Sequence, residues 1–528
     1  MRKMEGAVLL WMGIGWLSGC GGSGEVEPPP DDRCVATVGV DLLPGQFPNE
    51  VDLQANANLE VAVLSTEGLA AGEVDPRTAT LESPDGSRTA GALEMLEQRD
   101  VNADGHPDRV LRFSIPALVD AGVLHLDAAR LTFRISTTSG ERLTGCDRIV
   151  AAGRAHVRLP MPGGTHAVGT TVYHWKDAAR RETFSGAVHE NRELMVRFWY
   201  PSVPRPHVQP GSYFLDTYEG ALAATSRKLP SRFFDFFYGH AVLEAPLAGS
   251  TERFPVLVLS PGYGMAPALY SGFAEELASH GYVVAAISHT HASGPVVFPD
   301  GGVARQTVEL GLFNANPVAE VWLADARFVL DQLERMDGAE PRGRFTERLD
   351  LDRIGMLGHS FGGATAGNSC VSDDRVKAGA NLDGTFQGKD YSRGCDEPFL
   401  LMHSGQKDGT HQEFLRALRA VGYELTFPTA GHASFSDLPF GLELMRSFGV
   451  DPKDALEVGT LEAARGLELM REYLVAFFDK HLSGSRSPLL EEGSVDRGDV
   501  RLTVVSAKGG PRGSQPSMSR TRGTTSRP

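Results

Sequence analysis

Ser360 stands in Gly358-His359-Ser360-Phe361-Gly362-Gly363, behind the apolar run Arg353-Ile354-Gly355-Met356-Leu357 and ahead of small residues that can be helical. A serine in a G-x-S-x-G turn between strand and helix is the arrangement of a nucleophile elbow. Its neighbours are small because side chains at Gly358 or Gly362 would collide with adjoining elements. A serine hydroxyl is a poor nucleophile at neutral pH, so it needs a base for its proton and a carboxylate to orient that base. Downstream lie His403, His411, His432 and His481. His432, in Thr429-Ala430-Gly431-His432-Ala433-Ser434-Phe435 just past the apolar run Tyr423–Phe427, is the expected base. His403 near a strand end reads as structural, and His481 on a closing helix as exposed.

Two carboxylates compete for the third place. Asp383 ends the run Val376–Leu382, and Asp408 follows the next run in Gly405-Gln406-Lys407-Asp408-Gly409. Either fits the chain order serine, acid, histidine of α/β-hydrolases. Both fall at carboxyl ends of expected parallel strands, where open α/β sheets place their sites. Spacing alone does not choose between them. Acyl transfer also needs donors for the tetrahedral oxyanion. The backbone amides of Phe361, directly after the serine, and Tyr263, in the loop after the run Phe254–Leu259, are the expected pair.

These residues need a scaffold of buried strands and helices. Phe254–Leu259, Tyr282–Ile287, Ile354–Leu357, Val376–Leu382, Phe399–Met402 and Tyr423–Phe427 read as strands. Ala268–His280, Val318–Met336 and Ala463–His481 read as helices. Apolar strands alternating with helices predict an α/β fold, a mostly parallel sheet covered on both faces. Residues 159–485 form this expected catalytic domain. Within it, the aromatic segment Tyr213–Tyr238 predicts either an apolar lid for an acyl chain or simple core packing. His289 and His291 follow a strand end and can line a pocket, but lack a third ligand for zinc.

Residues 34–155 differ. Short runs such as Leu59–Leu64 and Arg109–Phe113 between turn residues predict a small β-sandwich-like domain. It contains the loop Asp100-Val101-Asn102-Ala103-Asp104-Gly105-His106-Pro107-Asp108. Asp100, Asn102, Asp104 and Asp108, with the His106 carbonyl, match the start of a calcium loop. Leu111 occupies the position of the bidentate glutamate, so a calcium loop outside the EF-hand class, structural in role, is expected; the other reading is an acidic turn.

The N-terminus carries Arg2 and Lys3, an apolar stretch from Ala7 to Leu17, and Leu17-Ser18-Gly19-Cys20. The stretch is too short to span a bilayer, and its end resembles a bacterial lipobox. That implies a signal peptide (1–19), lipidation of Cys20, a tether (20–33), and export to an outer-membrane or cell-surface position; an ordinary signal peptide with an incidental cysteine is the alternative. Cys34, Cys146, Cys370 and Cys395 remain, and an even count in an exported chain favours disulfides. Pairing by domain gives Cys34–Cys146 and Cys370–Cys395; free buried thiols are the alternative. The chain of 528 residues carries a net charge of -16. Its basic residues cluster only in the Gly/Ser/Arg-rich end, so nucleic acid is not an expected partner. Residues 490–528 read as a disordered tail.

Ser260-Pro261-Gly262-Tyr263-Gly264, Leu269-Tyr270-Ser271, Leu277–Ala286, the strand Val196–Ser202, GHSFGG at 358–363, Leu382-Asp383 and His432-x-x-Phe435-x-Asp437 form a set. Over roughly residues 159–485 it resembles the plasma-type platelet-activating factor acetylhydrolases. The resemblance implies an α/β-hydrolase fold, with the acid after the strand following the elbow, and so Asp383 rather than Asp408. It also implies a serine ester hydrolase acting through an acyl-enzyme on a short-acyl phospholipid or related ester, with no catalytic cofactor. Pro261-Gly262 replaces the family's histidine-glycine, and Gly384-Thr385 follows the acid; both departures bear on substrate more than on the triad. Dienelactone hydrolase-like, peptidase-like and polyester hydrolases are alternatives. A non-catalytic surface-binding lipoprotein is the rival of another class.

Overall fold

The computed structural model describes residues 34–505 except 67–68, 187–189, 205–207, 312–313, 406–407, 455 and 492–497. The expected signal peptide, Cys20, the tether and residues 506–528 lie outside the described residues.

Residues 40–148 build two antiparallel four-stranded sheets. One contains Val40–Leu42, Asn58–Val63, Asp108–Ser114 and Glu94–Arg99; the other contains Thr89–Gly91, Val74–Glu82, Arg130–Thr137 and Arg142–Arg148. Alternate residues on facing strands point inward. Leu59, Val61, Val63, Leu111, Phe113, Leu131, Phe133 and Ile135 thus share one core. Cys34 and Cys146 lie at disulfide distance, with their Cα atoms 6.3 Å apart, and tie the first described residue to the last strand. The sandwich rests on the segment that follows residue 208. Arg148 donates to the carbonyls of Phe237 and Gly211, and Gln209 donates to Asp41 at 2.6 Å.

The 100–108 loop closes on itself. Asp100 accepts from the amides of Asp104 and Gly105, and Asp104 accepts from the amide of His106. Asp108 is buried, and its two oxygens accept from the amides of Ser65 and Val101. Among the described residues no group of three or more His, Cys, Asp or Glu side chains is arranged to hold a metal.

The second region is a ten-stranded sheet. Its strands are β1 (Ala167–Arg181), β2 (Asn191–Ser202), β3 (Val242–Leu243), β4 (Phe254–Ser260), β5 (Val283–Ser288), β6 (Leu349–His359), β7 (Val376–Leu382), β8 (Phe399–His403), β9 (Gly422–Thr426) and β10 (Arg501–Val505). The order is β3-β1-β2-β5-β4-β6-β7-β8-β9-β10. Strands β5 through β9 of that order run parallel; β1–β2, β2–β5 and β9–β10 pair antiparallel.

The strands bury both faces, and the period of two assigns each residue to a layer. Leu257, Leu259, Val284 and Ala286 face helices α1 (Ser271–Ser279) and α5 (Ala463–Leu482). Val256, Val258, Val283, Ala285 and Ile287 face α2 (Ala315–Gly338). Helix α2 presents Ala326, Val329, Leu330 and Leu333 at helical spacing, the apolar stripe of an amphipathic helix. Helix α3 (Phe361–Ser372) follows β6, and α4 (Gly409–Ala417) follows β8. Cys370 on α3 and Cys395 before β8 lie at disulfide distance, Cα atoms 5.6 Å apart.

Two expectations change, and one open reading is resolved. The reading of residues 490–528 as disordered fails at β10, whose Arg501-Leu502-Thr503-Val504-Val505 adds an antiparallel edge strand to β9. Its β-branched residues suit a strand, and the biased composition beyond them hid the signal. The aromatic segment is core rather than lid. Tyr213, Phe214, Phe233, Phe234, Phe236, Phe237 and Tyr238 are all buried, with Phe214 and Phe234 centroids 5.0 Å apart. His481 is not exposed; it packs between Phe477 and Tyr423, its Nε2 3.2 Å from the Tyr423 hydroxyl.

Candidate active site

Strand β6 ends at His359, and the chain turns into α3 within one residue. Ser360 makes that turn with φ 55° and ψ -121°. A non-glycine residue there stores about 1–3 kcal/mol of strain, which the surroundings must hold. The surroundings are tight backbone: a Cβ on Gly358 would come within 2.1 Å of the Gly362 carbonyl, and one on Gly362 within 2.0 Å of the Ser260 carbonyl. Only glycine lets the elbow seat against β4. The Ser360 amide donates to Leu382 O at 2.9 Å, which ties the turn to β7.

His432 lies beyond β9 and reaches back over the turn. Its Nε2 is 2.9 Å from Ser360 Oγ and its Nδ1 is 2.7 Å from Asp383 Oδ2. The Asp383 carboxylate accepts, so Nδ1–H donates and Nε2 is left to accept the serine proton. Asp383 directly follows β7, also at a left-handed φ of 54°, and its Oδ1 accepts the Ser404 amide at 2.7 Å. Burial pushes the Asp383 carboxyl up, but its His432 hydrogen bond and charge and the Ser404 amide outweigh this and hold it below the ordinary value. Asp383 is sealed at 1% exposure while His432 keeps 30%, so the acid is dry and the base faces the substrate side.

The structure thus brings Asp383, not Asp408, to His432. Asp408 caps α4, accepting from the amides of Thr410 and His411, and its other oxygen accepts from the Thr385 hydroxyl. His403 is buried against Glu424 and Thr426, and His411 contacts Gly384 O.

Phe361 directly follows the serine and shares an apolar cluster with Tyr263, and among the described residues neither amide has a protein acceptor. The loop carrying Tyr263 is fixed by a chain with a defined direction. Among the described residues His359 Nε2 meets the His432 carbonyl alone, at 3.1 Å, so it carries a proton. His359 Nδ1 therefore accepts from the Tyr270 hydroxyl at 2.8 Å, and that oxygen accepts the Gly262 amide at 2.8 Å. Burial, with the neighbouring His432 charge, pushes His359 down to about 3, so it stays neutral and keeps this tautomer.

Sequence reasoning missed this chain, although Tyr270 and His359 both stood in quoted motifs. It also missed an apolar cluster that includes Phe361 and Trp322, against which Phe184, Tyr263, Val308 and Leu310 pack. His291, expected near the pocket, binds Arg305 O at the surface, and His289 is fully buried.

A strained elbow serine, a histidine beyond the last parallel strand and a buried carboxylate, on this sheet order, define a serine hydrolase of the α/β-hydrolase fold. Residues 151–299 and 339–491 match the model of platelet-activating factor acetylhydrolase, isoform II, and the chain belongs to that family. A probable 1-alkyl-2-acetylglycerophosphocholine esterase of Arthroderma benhamiae is 30% identical over 262 residues, 46% of this chain and 64% of that one. A platelet-activating factor acetylhydrolase of Canis lupus familiaris is 24% identical over 377 residues, 63% of this chain and 79% of that one. The solved ferulic acid esterase from Streptomyces cinnamoneus aligns with a TM-score of 0.55 at 32% identity, covering 66% of this chain and 99% of that one. The protein is a carboxylic ester hydrolase resembling these relatives.

Proposed function

We propose that Ser360, His432 and Asp383 cleave short-acyl esters of phospholipid-like alcohols through an acyl-enzyme. The observation that carries this is the continuous contact from Asp383 through His432 to Ser360 Oγ. His432 takes the Ser360 proton as Oγ attacks the ester carbonyl. The amides of Tyr263 and Phe361 receive the oxyanion, and His432 passes its proton to the departing alkoxide. Water activated by His432 then attacks the acyl-enzyme and releases the acid, while Asp383 holds the ring and stabilises its cationic form. The apolar cluster of Phe184, Val308 and Leu310 supports an acyl or aryl group beside the oxyanion donors.

The test compares a 1-alkyl-2-acetyl-glycerophosphocholine with methyl ferulate and a peptide on the purified full chain. Preference for the acetyl phospholipid is the expected result. Turnover of the ferulate alone moves the substrate to aryl esters, and peptide cleavage alone rejects the reading.

We also propose export with a lipid anchor at Cys20; the lipobox-like Leu17–Cys20 and the apolar stretch before it support this. Cys20→Ser should then move the protein from the membrane to the soluble fraction. Structural calcium in the 100–108 loop is proposed on its sequence pattern alone; a chelator should lower the melting temperature without touching turnover of a soluble ester.

A further inference from the structure

The molecule contains a second Ser–His–Asp constellation. Ser260 Oγ lies 2.9 Å from His289 Nε2, and His289 Nδ1 lies 3.0 Å from Asp325 Oδ2. All three residues are fully buried. Arg192 grips both Asp325 oxygens at 2.7 and 3.1 Å, and Arg180 adds a third contact at 2.9 Å. Arg192 also pairs with Glu182 at 2.7 Å and donates to Thr290 O. The carboxylate is held ionised by these cations, so His289 Nδ1–H donates to it and Ser260 O–H donates to His289 Nε2.

This set is linked through its immediate neighbours to both carriers of the proposed oxyanion donors. Ser260 ends β4 two residues before Gly262 and three before Tyr263. The turn after His289 accepts the Gly264 amide at Ala292 O, 3.0 Å away. Trp322 stacks on the His289 ring at 3.9 Å and meets Phe361 edge-on at 4.9 Å. The Ser260 carbonyl lies against Gly362, where no Cβ fits. His289 therefore connects to the Tyr263 loop through the turn at Ala292 and to Phe361 through Trp322.

We propose that Ser260, His289 and Asp325 are positioning residues that set the separation of the Tyr263 and Phe361 amides, and that they are not a second active site. The proposal rests on Ser360 as the nucleophile. A buried relay suits the task because each of its hydrogen bonds has a single geometry and water cannot compete for it. Ser260, His289 and Asp325 each have hydrogen-bond partners, as a polar set in a dry site requires.

The experiment uses the full chain with nitrophenyl acetate, a trifluoromethyl ketone that mimics the tetrahedral adduct, and a fluorophosphonate mapped by mass spectrometry. Ser260→Ala should lower kcat about tenfold to a hundredfold, less than deleting a donor outright, with KM nearly unchanged. The ketone's Ki should rise by the same factor, the acid limb of the pH–rate profile should stay put, and Ser260→Thr should restore kcat. Trp322→Leu provides the same readout through Phe361 if Ser260→Ala does not fold. Wild-type kcat and Ki in a variant that only melts earlier overturn the proposal, as does fluorophosphonate on Ser260. If wild-type Ser360 takes no label, the ester-hydrolase reading fails instead.

Discussion

Two serines stand at the carboxyl ends of neighbouring parallel strands of one sheet, Ser260 as the last residue of β4 and Ser360 just past β6, and each has a histidine and an aspartate behind it. Ser260 on β4 pairs in register with Gly358 on β6, two residues before Ser360. The serine–histidine distance is 2.9 Å in both sets, and the histidine–aspartate distances are 2.7 and 3.0 Å. Distances therefore do not make a triad catalytic. Ser260 ends a regular strand and is sealed, whereas Ser360 is lifted on a positive-φ turn beside unengaged amides, under a histidine with 30% exposure. The acids differ too. Asp383 leans on one histidine and one amide, while Asp325 is locked by two arginines. The first arrangement suits a base that must gain and lose a proton, and the second a fixed post.

The largest effect that would sharpen the contrast is at Ser360. Ser360→Ala should lower kcat about a millionfold, to the residue left by binding and the oxyanion hole, with melting unchanged. Next comes the carboxylate. Asp383→Asn should cost about ten-thousandfold in kcat by forcing the wrong tautomer on His432. Asp408→Asn should leave turnover near wild type, because Asn caps a helix as well as Asp does. Steady-state kinetics of the pair decides it, and the reverse order breaks the assignment.

At the buried set the prediction shifts from rate to stability. Asp325→Asn takes from Arg192 its two-point partner, leaving Glu182 as the remaining carboxylate, and should destabilise by about 3–5 kcal/mol in urea unfolding, the range for breaking a buried ion pair. A loss near zero would mean the arginines find other acceptors.

The smallest effect is in pH. Burial pushes His289 below its ordinary 6.5, despite Asp325, with Arg192 and Arg180 adding to the fall. The unfolded chain then binds a proton below about 6.5 that the folded one refuses, so stability falls as pH drops through that window. His359, at about 3, adds to the same slope. His289→Gln should flatten the change in unfolding free energy between pH 7.5 and 5. An unchanged slope would mean that His289 already takes up its proton in the fold.

The catalytic set was legible because its chemistry sits at punctuation. Ser360 follows an apolar run and opens a Gly-rich turn, and Asp383 and His432 each follow a strand-like run. The choice between Asp383 and Asp408 was not in the spacing; it came through resemblance, and the geometry shows Asp408 occupied as a helix cap. The positioning set left no such mark. Asp325 lies in mid-helix among Leu323, Ala326 and Phe328, where a lone carboxylate reads as part of a solvated face, and His289 read as pocket lining. The hairpin β1–β2 that supplies Arg180 and Arg192 was seen only from Val196 onward, since charged residues interrupt its alternation. The strand β10 was lost against a biased tail, and the aromatic segment 213–238 kept two readings because composition does not say which way rings face.

The most direct test of the contrast is covalent. The folded full chain, treated with a fluorophosphonate and digested, should carry the phosphonyl group on the peptide of Ser360 and none on that of Ser260. His432→Ala should slow the labelling sharply. Modification of Ser260, or an unmodified Ser360 in folded protein, would contradict the account.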